Sequence, residues 1–382
     1  MNSKGEVIPE NASCPAKKVI SAAELSEEQR LEDEKYIRRC IQLARQGMAG
    51  ARPNPMVGAV VVCEGRILGE GYHICQGGPH AEVNAISSVK QTELLPQSTI
   101  YVSLEPCAHY GKTPPCADLI ISRKIKRCVI GCQDPFAKVD GLGIKKLQEA
   151  GVEVVVGVLE KECLTLNHTF ITYHTLKRPY ITLKWAQSCN GMMDAARRMP
   201  RTSEADSPQP VRFSTPLTMT LMHRRRALSD AILVGGGTAL LDNPSLTVRE
   251  WIPRGETGNQ PLFQKENGWN AKGHPLRVVV DTKGTLPKEL RVFNDESATL
   301  VWDNWDLNAL MQRLHEQNIQ TLLVEGGAET LRRFLDEGLW DEMRVETSPF
   351  LIQEGVEAPS LAGYHPSEVY QVDGNTISIY YQ

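Results

Sequence analysis

Nowhere in the 382-residue chain does an apolar run approach the roughly 20 residues that a membrane-spanning helix requires, so no membrane partner is expected. The opening stretch, MNSKGEVIPENASCPAKKVI, lacks the continuous apolar core of a secretory signal. It predicts a polar, mobile extension over residues 1–27 of a cytoplasmic protein. Basic charge is not in excess: 42 Lys and Arg against 46 Asp and Glu leave a formal net charge of −4. The basic footprint of a nucleic-acid partner is therefore missing. Low-complexity blocks are absent, neither half repeats the other, and no G-x-G-x-x-G marks a conventional dinucleotide-binding turn. Cysteine, by contrast, is plentiful. Ten cysteines without a signal peptide predict reduced thiols and metal ligands rather than a disulfide framework.

At this length two hydrophobic cores are expected. Ile37, Cys40, Ile41, Ala44 and Met48 recur at helical spacing and Gly47 supplies a stop, which predicts a helix over 28–46. Strands follow at 57–62 and, after a turn at Glu64-Gly65, again before Tyr72. Helices from His80, from Cys116 and over 143–150 then alternate with the strands TIYVSLE, RCVIGC and VEVVVGV. That alternation predicts an α/β layer with a largely parallel sheet. A polar stretch leads to Pro179, and the boundary is placed near residue 176, giving domains 28–176 and 177–382. The second half alternates again, through AILVGGG, RVVVD, TLLVEGG and helices near 306–317 and 328–337, to TISIYYQ. Arg197–Arg212 and roughly 251–274 read as loops.

Within PHAEVNA, His80 and Glu82 stand two positions apart at the start of a helix. Acidic residues favour a first turn for electrostatic reasons alone. Further along, however, PCAHYGKTPPC places Cys107 and Cys116 each after a proline. One imidazole and two thiolates are three zinc ligands, and a catalytic zinc keeps its fourth position for water. Such a metal brings the pKa of its water towards ~7. A glutamate that is not a ligand can then move protons between water and a departing amine. Cys116 opens a helix, whose dipole favours its thiolate. The expected chemistry is hydrolytic deamination of an amino-heterocycle. A purely structural zinc site closed by His73 or His109 is the competing reading, and Cys128 and Cys132, at even spacing on a strand, read as core thiols on one face. Asn54, between two prolines, serves equally as a turn residue.

These motifs resemble the zinc-dependent cytidine-deaminase superfamily, with H-x-E followed by a P-C pair. Eight residues rather than two separate the cysteines, and that spacing, with RPNPMVGAVVV and GYH before HAE, resembles the bifunctional riboflavin-biosynthesis deaminase–reductases. The resemblance implies a cytidine-deaminase-like domain followed by a dihydrofolate-reductase-like domain. It further implies Zn2+ on His80, Cys107 and Cys116, catalysis by Glu82, and a pyrimidine ribose phosphate held by Asn54, His73, Lys112 and Asp134. In the second half, TLLVEGGAETLRRFLDEG reads independently as strand, Gly-Gly turn and helix, with backbone N–H groups available to an anion. AILVGGGTALLDNPSLTVR adds to the likeness. By resemblance Ser188, Arg226, Leu246, Arg249 and Glu325 contact substrate. NADPH is met by Thr238, Asp242, Thr282 and the run Gly327, Ala328, Glu329, Thr330, Leu331, Arg332 and Arg333, with His174 and Asn190 beside them. Lys184 is either a proton donor near the sugar or a solvated strand lysine.

One departure stands out. Where the family carries S-x-D-G and a basic residue, this chain reads SCNGMM, so Asn190 replaces aspartate and Met192 the basic residue. An Asn190→Asp reversion is expected to tighten NADPH binding, because it restores a charged acceptor. The expected activity is removal of a pyrimidine amino group and then NADPH-dependent reduction of the ribosyl chain. The alternatives are a deaminase with a vestigial reductase, a nucleoside or nucleic-acid base deaminase, and a zinc-stabilised binding protein. A homo-oligomer stays open.

Overall fold

The computed structural model describes residues 19–110, 114–135, 141–197, 209–251 and 274–382, and the chain divides into two compact units, residues 1–175 and 176–382. The first contains β1 (Ile20–Ser21), α1 (Glu27–Ala44), β2 (Gly58–Cys63), β3 (Arg66–Tyr72), α2 (Ala81–Ser87) and β4 (Thr99–Leu104). Then come α3 (Cys116–Ser122), β5 (Arg127–Cys132), α4 (Leu142–Glu149), β6 (Glu153–Val156), α5 (Glu160–Leu166) and α6 (His168–Leu176). The strands lie in the order β1-β6-β5-β4-β2-β3. β1, β6, β5 and β4 run parallel, while β2 and β3 are antiparallel because the tight turn at Glu64 and Gly65, both at positive φ, reverses the chain.

The helices cover both faces. α1 buries Tyr36, Ile37, Cys40 and Ile41 against Val60, Tyr101 and Val129, and Ser26 caps its start. α2, α3 and α4 pack on the opposite face over Ile100, Val102, Cys128 and Ile130. Cys128 and Cys132 are both buried, but on different faces. Cys132 ends β5, where the strand's twist turns it towards Leu104 and Cys163. Two expectations change here. Ile20 and Ser21, inside the expected mobile extension, pair with Val155 and Val156, adding a strand to the sheet; residues 1–18 lie outside the described residues. The stretch before Pro179 is helical rather than merely polar, because Leu166, Phe170 and Tyr173 form a buried helical stripe and Asn167 is bonded at both ends of its amide to the Met56 backbone.

The second unit holds β7 (Tyr180–Gln187), β8 (Met192–Ala195), α7 (Pro216–Ala227), β9 (Ala231–Gly235), α8 (Gly236–Asp242), β10 (Leu276–Val280) and β11 (Thr299–Trp302). It continues through α9 (Leu307–Glu316), β12 (Thr321–Val324), α10 (Ala328–Asp336), β13 (Glu342–Thr347), β14 (Gly355–Glu357), β15 (Glu368–Val372) and β16 (Asn375–Tyr381). Its sheet runs β11-β10-β9-β12-β7-β13-β16-β15, with the first six strands parallel and the last two antiparallel. Leu183, Leu233, Val278 and Leu322 on the sheet meet Leu314 and Phe334 on the helices. Residues that follow β7, β9, β10 and β12 therefore emerge along one edge, the usual place for a ligand in a parallel sheet. Most of the two expected loops, 198–208 and 252–273, lies outside the described residues.

Candidate functional site

α2 and α3 begin at the same place. His80 is the cap residue of α2, in extended backbone, and Cys116 is the first residue of α3, after Pro115. Cys107 reaches them from the segment after β4, where the Cys116 amide donates to its Sγ at 3.3 Å. His80 Nδ1 lies 3.5 Å from Cys107 Sγ and 3.4 Å from Cys116 Sγ, and the three ligand atoms lie within 4.8 Å of one another. An imidazole with two thiolates is the donor set zinc prefers, with a position left for water. The Cys107 thiolate is favoured first by the hydrogen bond to Cys116 and then by His80, against the cost of burial.

Glu82 lies in the first turn of α2 and is 3% exposed. α2 can approach so closely because Gly71 on β3 has no side chain: a Cβ there would sit 2.4 Å from the Ala85 nitrogen. Burial, and then the negative charge of Cys107, push the Glu82 carboxyl up to about 7. A carboxyl in that range can both take and give a proton near neutral pH.

His73 is not a fourth ligand. Its Nδ1 is 3.0 Å from the Pro79 carbonyl and its Nε2 3.1 Å from the Asn54 amide nitrogen. Nδ1–H thus donates, Nε2 accepts, and the ring stays neutral, as burial also favours. His109 is exposed, and among the described residues the metal-capable cluster holds only His80, Cys107 and Cys116. His73 packs edge-on against His80, so Asn54 and His73 stand beside the ligands. Asp134 is buried at the end of β5, and Lys112 lies outside the described residues.

In the second unit Ser188, Asn190, Thr238, Asp242, Thr282, Glu325 and Gly327 all follow the carboxyl ends of parallel strands. Glu325 receives two hydrogen bonds from Arg226, at 2.8 and 2.7 Å, and the Arg226 Nη1 donates to the Thr247 carbonyl. Arg226 is thus held by Glu325 and the Thr247 carbonyl, while Arg249 is exposed. Burial pushes the Glu325 carboxyl up, but the Arg226 charge and hydrogen bonds hold it below the usual range. Lys184 is not a solvated strand lysine. Its side chain is 13% exposed, 3.9 Å from Glu346, and burial lowers its pKa despite Glu325 and Glu346.

The residues expected at the cofactor have the following surroundings within the chain. The Gly327 amide donates to Thr238 Oγ1 at 2.9 Å, so it is occupied rather than offered to an anion. Leu331 is fully buried in the core, and Ala328 and Thr330 are buried as well. Glu329 faces out and pairs with Arg333, which also lies over Trp305, while Arg332 donates to the Glu357 carbonyl. Asp242 pairs with Arg197, and Thr282 is exposed. His174 belongs to the first unit, edge-on against Phe170 and Tyr173. Asn190 donates to the Ile352 carbonyl at 2.7 Å and accepts from Ser188 Oγ and the Ile352 amide, all on its own chain. A Cβ on Gly237, in the first turn of α8, would meet nothing within 4 Å, so the backbone there is open to close approach.

Residues 30–132 match the cytidine and deoxycytidylate deaminase zinc-binding region, and residues 179–368 match the RibD C-terminal domain. The riboflavin biosynthesis protein RibD of Aquifex aeolicus is 36% identical over 351 residues, covering 86% of this chain and 90% of that protein. This chain belongs to the RibD family. RibD of Escherichia coli is 34% identical over 84% of this chain and 89% of its own length. A diaminohydroxyphosphoribosylaminopyrimidine deaminase/5-amino-6-(5-phosphoribosylamino)uracil reductase from Thermotoga maritima superposes with a TM-score of 0.76 at 33% identity, over 92% of this chain and 99% of that one. Like other RibD proteins, the chain is a riboflavin-biosynthesis enzyme that joins a zinc-binding deaminase domain to an NADPH-using reductase domain. No helix among the described residues is long and apolar enough to cross a membrane.

Sequence reasoning missed residues that hold this RibD chain's sites in place. Glu105, in SLEPC, is 4% exposed and accepts from the amides of Asp134, Gly141, Gly143 and Ile144 at 2.9 to 3.3 Å. An acid closing the strand TIYVSL, directly before the Pro-Cys pair, was the signal for it. His223 was hidden because α7, rich in Thr, Met and Arg, shows little apolar periodicity.

Proposed function

We propose that the first unit removes the 2-amino group of 2,5-diamino-6-ribosylamino-4(3H)-pyrimidinone 5′-phosphate, and that the second then reduces the ribosyl chain to give 5-amino-6-(5-phosphoribitylamino)uracil. The observation that carries this reading is the buried Glu82 beside three convergent zinc ligands, in a chain whose RibD relatives span nearly its whole length. When bound by His80, Cys107 and Cys116, zinc supplies the Lewis acidity that makes hydroxide available at neutral pH. Glu82 holds the proton taken from water and gives it to the departing amine. Asn54 and His73, bonded to each other, face the pyrimidine, and Asp134 with Lys112 completes its recognition.

In the second unit NADPH, when bound, supplies the hydride. Lys184, enclosed by Glu325 and Glu346, delivers the proton that accompanies it. Exposed Arg249 takes the substrate phosphate, and Ser188 and Leu246 line the sugar. Thr238, Asp242, Thr282 and the backbone at Gly237 border the cofactor. The protein works in the cytoplasm on small molecules. Incubation with the diaminopyrimidine nucleotide tests the proposal: ammonia should appear without NADPH, and NADPH should be consumed only as deaminated product accumulates. Absence of ammonia release from zinc-loaded protein would reject the deaminase assignment.

A further inference from the structure

The arm that carries Leu246 and Arg249 is fastened residue by residue. Leu246 is buried with φ at +55°, a left-handed backbone that a leucine adopts only when its surroundings impose it. The Thr247 carbonyl accepts from Arg226, and Thr247 Oγ1 accepts from the Arg249 guanidinium at 3.0 Å. The next two amides both end on imidazoles. Val248 N–H donates to His274 Nδ1 at 3.2 Å, and Arg249 N–H donates to His223 Nδ1 at 3.0 Å.

His223 is the telling member. It is completely buried, and because Nδ1 accepts, its proton sits on Nε2. That Nε2 has no hydrogen-bond partner among the described residues. A buried donor left unpaired is costly, so an apolar residue would serve packing better at this place. What an apolar residue cannot do is accept the Arg249 amide. The groups facing the ring are Arg226 on its own helix, Arg249 and Glu250 on the arm, and Glu325 beyond β12.

We infer that His223, acting as a neutral acceptor with His274 beside it, is a positioning residue that sets the Leu246–Arg249 arm so that the exposed Arg249 guanidinium meets the phosphate of the reductase substrate. This rests on the reading of Arg249 as the phosphate contact. Protonation of His223 would turn its Nδ1 into a donor facing the Arg249 amide. Burial, together with Arg226 and Arg249, holds the ring below the usual histidine range, so the arm stays fastened at neutral pH and is released only as pH falls through that lowered value.

The test uses full-length zinc-loaded protein and supplied deaminated intermediate. His223→Leu should raise the KM for the intermediate roughly tenfold, with kcat and the KM for NADPH nearly unchanged, because a buried amide loses its acceptor. His223→Asn, whose Oδ1 falls near the Nδ1 position, should restore most of that loss. The asparagine variant should also lack the part of the acid rise in KM that wild type shows beyond the titration of the substrate phosphate. Equal loss in both variants, an unchanged KM in His223→Leu, or a fall in kcat alone would overturn the inference. If the leucine variant no longer binds NADPH, the asparagine variant and the wild-type pH profile still decide. Arg249→Ala separates the two levels. If it leaves the KM for the intermediate unchanged, the phosphate reading fails. If it raises KM while His223→Leu does not, only the positioning role fails.

Discussion

The two units solve the problem of building a site in opposite ways. In the first, three metal ligands and an acid come from two helix starts and one loop, and the donor atoms already converge within 4.8 Å. In the second, the residues come one or two at a time from the ends of four parallel strands and from an arm beyond them. A metal centre is a short list of specific donors whose chemistry cannot be replaced. A nucleotide or sugar-phosphate site is mostly shape, backbone and a few charges, and many residues can supply those.

If that contrast is right, the largest effect should come from the metal ligands. Cys107→Ser or Cys116→Ser should drop zinc from about one per chain to near zero and abolish ammonia release. Reduction of a supplied intermediate should continue, as metal analysis and an NADPH assay on the same sample would record. Retained deamination without metal would break the comparison at its root. Glu82→Gln comes next. It should keep the zinc but slow deamination about 10²–10⁴-fold, the usual contribution of a positioned proton carrier. Ammonia release near the wild-type rate would remove Glu82 from its role.

Glu325→Gln probes the second unit. It strands the Arg226 guanidinium, whose side chain is 12% exposed, without its carboxylate. Loss of one partner from such a pair costs about 3–5 kcal/mol. The Glu325 carboxyl titrates lower folded than unfolded, so its stabilisation is present above about pH 4.3 and is lost as pH falls through the folded value. Chemical denaturation of the wild type and the variant from pH 3 to 7 should show the gap between them closing in acid. The smallest effect belongs to Asn190→Asp. Here the structure reverses the sequence expectation, because the Asn190 amide donates to the Ile352 carbonyl, and an aspartate would set a negative charge against that oxygen. A loss of about 1 kcal/mol in stability and no gain in NADPH affinity are expected, read by thermal melting and cofactor titration. Tighter NADPH binding would restore the simpler reading from the family motif.

The same contrast explains what could be read from sequence. His80, Glu82, Cys107 and Cys116 were legible because zinc chemistry selects residue types that are rare in such an arrangement. The alternating elements were legible because continuous apolar strands such as AILVG and LRVVV announce a buried parallel sheet. Leu331 differs from its neighbours in the run that the resemblance implies for NADPH. A seven-residue run after a Gly-Gly turn was carried over whole, yet helical periodicity sends Leu331 into the core and Glu329 into solvent. Arg226 shows another limit. Its partner Glu325 lies 99 residues away, and only the sheet order brings the two together. The helices before Pro179 were lost because their polar residues outnumber the four that are buried.

Glu105 has a consequence for how this molecule could be altered. Its Oε2 holds the amides of Asp134 and Gly141, and its Oε1 holds Gly143 and Ile144 at the start of α4. Both ends of the intervening segment are thus moored to one carboxylate at the end of the strand that leads into Cys107. Glu105 stands two residues before Cys107, so the loop after β5 and the metal-bearing segment share one anchor. A change at Glu105, which is no metal ligand, would therefore reach the deaminase site from two segments at once.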